Sequence, residues 1–289
     1  MDFYTVAILQ GLGYASMGLG IFISLKIFNI PDITTDGSYT LGGVITAVGL
    51  MTGLHPIVTL LLALAGGAFA GLASGLIHVR LGVNALLSGI LVMTALYSVN
   101  LMIMGRSNLP LMDAVTIFDS LGFIKDPKLI QTILLISITV IAAGFLLWLL
   151  RTDIGIFMRA TGENEQMVRA NGMNTGTMKL AGLALANALT ALSGFLLVQY
   201  QGFADINMGI GIVISGLAAV MIGETLAGFF RKQPLALLIG AVIAGSILFR
   251  LALALALSFG LNPNYLKLAT ALIVLAIMSF SGFRKKALW

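Results

Sequence analysis

Apolar residues run through this chain in nine long segments, roughly 3–25, 39–53, 56–78, 82–104, 129–150, 178–200, 209–230, 235–257 and 266–282. Most match the ~20 residues of helix that cross ~30 Å of hydrocarbon at 1.5 Å per residue. The pattern predicts an all-α fold, a polytopic transmembrane helical bundle of about nine spans. The second segment is short by that measure, and a run of turn and cap residues, Asn29 to Ser38, precedes it. Two readings fit that run. One is a broken or re-entrant helix near 31–53 whose N-terminus is capped by Asp36 or Ser38. The other is an ordinary loop before a short span.

Composition makes lipid the solvent. Hydrophobic residues fill 59% of the 289 positions and charged residues 9%, against about 25% charged in soluble domains. Residues 1–289 therefore read as a single transmembrane domain. The net charge of +5 is scattered over short segments, which argues against nucleic-acid binding. The absence of cysteine removes disulfides, thiolate metal sites and cysteine nucleophiles. His55 and His78 each stand alone beside a predicted helix end, so no metal site is expected. The apolar N-terminus lacks a basic region before it, so no cleaved signal peptide is expected. No P-loop, HExxH or GxSxG is present, and no carboxylate pair falls in a plausible span. The chain reads as no enzyme, with no catalytic residue and no cofactor of its own.

Lysine and arginine set the orientation. Eleven fall on one side of the nine segments: Lys26, Arg80, Arg151, Arg159, Arg169, Lys179, Arg231, Lys232, Arg284, Lys285 and Lys286. Four fall on the other: Arg106, Lys125, Lys128 and Lys267. The positive-inside rule places the 151–177 loop and the C-terminus in the cytoplasm, and nine spans then put the N-terminus outside. Residues 105–128, with Pro110, Asp113, Asp119 and Pro127, form an external segment. Thirty-four glycines, including the Gly71–Gly75 pair, predict close helix packing. A faint internal echo, Asp32-Ile33 eleven residues before Gly43 and Asp205-Ile206 eleven before Gly216, hints at an inverted repeat.

Polar residues inside spans cost free energy unless they face protein or water. Those here include Asn84, Thr190 and Glu224, and the candidates to line a path are Asn100, Asn187, Gln199 and Arg250. Arg250 sits within the apolar stretch 235–257. It lines an aqueous path, where its charge could attract a carboxylate, or it snorkels to the outer surface. Glu224 is too far from it in depth to pair. The 151–177 loop holds the other functional signal. Gly162 and Gly172 bracket a two-turn helix with Asn164 as its cap, and Met167 and Val168 form an exposed apolar tip among Glu163, Glu165 and Arg169. That is the shape of a peg for a partner's groove.

The chain resembles the permease subunits of ABC importers in the branched-chain amino acid and ribose class. The likeness covers nearly its whole length. It is carried by Pro31-Asp32-Ile33-Thr34-Thr35-Asp36-Gly37-Ser38-Tyr39-Thr40-Leu41-Gly42-Gly43, by Arg159 through Asn164 and Gly172-Met173-Asn174, and by Leu189-Thr190-Ala191-Leu192-Ser193-Gly194. Ala218 through Gly223 is similar to the family's AAVVIGG segment, with Glu224 where a second glycine is usual. Within the class, the chain looks most like the branch paired with lipoproteins that bind tryptophan or related compounds.

The resemblance implies a permease homodimer in the bacterial plasma (inner) membrane, two cytoplasmic ABC ATPase subunits that bind ATP and Mg, and an external substrate-binding protein. The permease forms the path for a small solute, an amino acid such as tryptophan or a related polar compound. Residues 159–172 become the coupling helix docked on the ATPase, through Gly162, Glu163, Asn164, Glu165, Met167, Val168, Arg169 and Gly172. The rival reading, an ion-coupled secondary transporter, needs an ion-binding cluster at mid-membrane, where only Arg250 and scattered amides stand.

Overall fold

Each of the nine apolar segments becomes a helix. A computed structural model describes residues 3–112, 114–119, 127–228, 234–260, 262 and 265–286. Asp113, Lys125, Arg231 and Lys232, used above, lie outside the described residues. Helix α1 (Phe3–Ile21) continues into a π-helical turn, Phe22–Ile27. Then come α2 (Thr34–Met51), α3 (Pro56–Arg80), α4 (Ala85–Met104), α5 (Pro127–Arg151), α6 (Asp153–Glu163) and α7 (Glu165–Ala170). The order closes with α8 (Thr175–Gln201), α9 (Ile212–Ala227), α10 (Leu235–Ser258) and α11 (Leu266–Lys286). Two short strands, β1 (Asn108–Pro110) and β2 (Phe203–Asp205), pair antiparallel with Leu109 opposite Ala204.

The chain is thus an all-α polytopic membrane bundle. Among the described residues six helices are long and apolar enough to span: α1 with its π turn, α3, α4, α5, α8 and α10. Helix α9 and the apolar part of α11, Leu266–Ile277, are shorter. The sequence dictates several helix ends. Asn84 and Asn174 cap α4 and α8, their side-chain oxygens accepting from Leu86 N at 2.9 Å and Thr177 N at 3.2 Å. Gly105 and Gly202 end the same two helices in the left-handed region, with φ of 67° and 79°.

Helices α1 and α8 form the buried centre, while α3, α4, α5 and α10 bury about a third of their length or less and turn large apolar side chains outward. Lipid suits that outer face. Small residues set the interior spacing. On α3, Gly67, Gly71 and Gly75 ride on α8, where a Cβ at 67 or 71 would strike the carbonyls of Asn187 and Leu183.

The packing also shows an internal repeat. Helix α2 runs parallel to α8, setting Ser38 by Asn187 and Gly42 by Ala191. Helix α9 runs parallel to α1 in the same way, setting Gly216 by Ile21 and Glu224 by Lys26. Helix α3 runs antiparallel to α2 and α8, and α10 antiparallel to α9 and α1. The first helices are themselves antiparallel, Gly13 lying by Leu197 and Gly20 by Ala186. So α1–α4 and α8–α11 are inverted copies, and each lends its first helix to the other. Asp32 and Asp205 play matching parts, each carboxylate accepting the backbone N–H two residues on, from Thr34 and from Asn207.

Candidate functional site

Helix α2 begins inside the bundle, beside the middle of α8. After the π turn the chain bends at Asn29, whose φ is 55°, and climbs along α8 with Phe28 against Gly182. Asp32 then stands buried at the helix start. Its Oδ1 accepts from Thr34 N at 2.9 Å, and its Oδ2 accepts from Asn187 Nδ2 at 2.7 Å. Asn187 Oδ1 in turn accepts from the Ser38 hydroxyl at 2.7 Å. This corrects two expectations. The helix starts at Thr34, not at residue 37 or 39, and neither Asp36 nor Ser38 caps it. The Asp36 carboxylate instead reaches across to α9, accepting from Gly211 N at 2.9 Å and Val213 N at 2.8 Å. Residues 28–33 form a non-helical, partly buried connection between the π turn and α2.

The four candidate path residues part company. Asn187 is fully buried and bonded, inside the packed core. Gln199 is also buried. Its Oε1 accepts from Ile117 N at 2.7 Å, fastening the segment that follows β1. Asn100 donates to Gly37 O at 3.3 Å and borders a crevice of about 30 Å³ beside Asp36 and Tyr97.

Arg250 borders a far larger space, a cavity of about 330 Å³ between α1, α9, α10 and α11. Its guanidinium carbon lies 3.6 Å from the centroid of the Tyr14 ring, a cation–π contact tying the head group to α1. Tyr14 stacks on Tyr39 with centroids 5.9 Å apart and planes 17° apart, and the two hydroxyls meet at 3.3 Å. Glu224 does not pair with Arg250, as expected; its partner is Lys26. Sequence reasoning missed Tyr14, Tyr39 and the partners of Asp32 and Asp36. The signal available was an acid pair four residues apart at the edge of a span, where ionisable groups are rarely idle.

The 151–177 loop folds as two helices rather than one. Thr152 caps α6, accepting from Gly155 N at 3.3 Å, and Asn164 caps α7 as expected, accepting from Met167 N at 3.0 Å. Gly162 seats α6 against the backbone of Ile27 and Phe28 at the end of the π turn, where a Cβ would collide. Gly172 follows α7 with φ of 79°. Glu163 and Asn164 are exposed on the same surface. Glu165 braces α7 by accepting from Lys179 at 2.6 Å, Thr175 at 2.9 Å and Arg169 at 2.5 Å. Those bonds, Lys179's foremost, hold its carboxyl down to about 2. Met167 is 52% exposed, but Val168 is 1% exposed. The apolar tip is therefore Met167 alone: a six-residue helix turns consecutive side chains about 100° apart, and Val168 faces inward.

With this geometry in view, comparison with known proteins decides the class. The family described as branched-chain amino acid transport system, permease component, matches residues 4–279. The chain belongs to this family. It is similar to a tyrosine transport system permease protein of Clostridioides difficile (strain R20291), 38% identical over 270 residues, 93% of this chain and 88% of that one. It is also 25% identical over 263 residues to the ribose import permease protein RbsC of Escherichia coli (strain K12), covering 90% of this chain and 79% of that one. An autoinducer 2 import system permease protein, LsrC of Escherichia coli O9:H4 (strain HS), matches over 152 residues at 28%. This permease is the transmembrane subunit of an ABC importer for a small solute. It is a transport component and no enzyme; ATP hydrolysis belongs to separate subunits, and membership of the family implies an ATPase and a substrate-binding protein as partners. The secondary-transporter alternative falls with that assignment.

Proposed function

We propose that the permease conducts an amino-acid-like solute, of the tyrosine or tryptophan kind, delivered by an external binding protein and released inward at the expense of ATP bound with Mg by its partners. In this reading two copies pair, each crosses the membrane nine times with its C-terminus in the cytoplasm, and Asn100 and Arg250 border the path while the buried Asn187 and Gln199 brace the helices that form it. Residues 159–172 are the contact with the ATPase. One observation carries the reading: α7 is braced by Glu165 and holds Met167 outward, rimmed by the exposed Glu163, Asn164 and Arg169. A rigid stub with one apolar knob suits a groove. The name of the Clostridioides difficile relative supports the solute class.

The test is Met167→Asp in the reconstituted system. A charge forced into a dry groove costs several kcal/mol, so ATPase recovered with the permease in pull-down should fall about tenfold or more, and uptake with it. Met167→Leu should behave as wild type. Full ATPase recovery and uptake by Met167→Asp would defeat the coupling assignment.

A further inference from the structure

Among the described residues, two cations and no carboxylate line one cavity. Among the described residues no carboxylate lies within ion-pair distance of Arg250, and its Nε is buried with no hydrogen-bond partner. The exposed Lys267 of α11 borders the same 330 Å³ space. Arg250 is half-buried within its span, and a guanidinium placed there without a counter-charge is costly. The structure nevertheless fixes it in place, because the Tyr14 ring covers one face of the guanidinium and Tyr39 backs Tyr14. Stacking occupies the face of the group and Nε is buried, which leaves the terminal Nη pair as the edge that can bind a carboxylate in a two-pronged way.

We infer that this cavity is a station for the carboxylate of the transported solute, with Arg250 as its planar anchor and Lys267 as a second cation at the rim. Tyr14 and Tyr39 are positioning residues that keep the fork turned toward the cavity. The inference rests on the permease reading above and adds the place where the solute pauses and the group by which it is held. A carboxylate arriving from the binding protein meets the missing counter-charge here. An amine lacking that group meets two like charges.

The experiment uses the purified permease–ATPase complex without its binding protein, with radiolabelled L-tyrosine and L-tryptophan as probes up to millimolar concentration. Saturable binding is expected with at least one probe, displaced by 4-hydroxyphenylacetate or indole-3-acetate and not by tyramine or tryptamine. Arg250→Gln and Arg250→Lys should each weaken binding about tenfold or more, because lysine restores charge but not the stacked fork. Lys267→Gln, at an exposed site that folding does not need, should weaken it about threefold. Tyr14→Phe keeps the stack and should bind as wild type, whereas Tyr14→Leu should not. Stimulation of ATP hydrolysis by loaded binding protein, measured on the wild-type complex, reports separately on the permease reading. The station is refuted if neither probe binds, if the amines compete as well as the acids, or if Arg250→Gln and Lys267→Gln both bind normally while that stimulation persists.

Discussion

Glu165 serves Lys179, Thr175 and Arg169 with one carboxylate, and its acidity records how much α7 depends on it. The folded value near 2 lies below the ordinary 4.5. A depressed carboxyl stabilises the folded state above its unfolded value and loses that contribution as pH falls through the folded one. The α7 segment should therefore loosen between about pH 4.5 and 2. Hydrogen exchange over residues 165–175, normalised for the intrinsic rate, reads this directly. Glu165→Gln should raise exchange at neutral pH by several-fold, roughly the effect of losing about 1 kcal/mol from a partly exposed ion-pair cluster, and should abolish the acid-dependent step. An unchanged step in the variant would refute the assignment. At this scale the sequence was legible where chemistry is local. Asn164 as cap and the acid in the first turn of α7 follow from short-range rules. Lys179 as Glu165's main partner does not, since it lies fourteen residues on, beyond the turn that starts α8.

At the scale of elements, α2 shows why polar runs mislead in a membrane chain. Asp32, Thr34, Thr35, Asp36 and Ser38 look like a turn when read against water, and that reading placed the helix start at residue 37 or 39 rather than at Thr34. In a bilayer the same groups must find protein partners, and a helix whose first turn is ringed by α4, α8 and α9 supplies them. Partners that lie 155 and 175 residues away in sequence leave no local trace. The long apolar helices were read well, because hydrocarbon thickness alone fixes their length. Asn187 is the keystone of the α2 start. Asn187→Ala leaves Asp32 Oδ2 and the Ser38 hydroxyl unpaired in the core, a loss of about 3 kcal/mol or more. Ser38→Ala strands one amide oxygen and should cost less, about 1 kcal/mol. Unfolding midpoints in detergent, followed by circular dichroism, should rank wild type above Ser38→Ala and that variant above Asn187→Ala. Equal midpoints for all three would refute the keystone role.

For the molecule as a whole, the faint sequence echo pointed to a true repeat, but the exchange of first helices between the copies was invisible to pattern reading. Periodicity reports which residues want burial, not which neighbour buries them. The exchange has a consequence in time. When α2 enters the membrane during synthesis, the amide that will satisfy Asp32 lies 155 residues further along the message, still to be read. At about 5–20 residues per second that delay is roughly 8 to 30 seconds. Through that interval the first copy holds a buried acid without its partner and a glycine-lined face on α3 without the helix that fills it. The nascent chain is therefore not a series of finished domains but one unfinished object, stable only once its second half arrives to close the first.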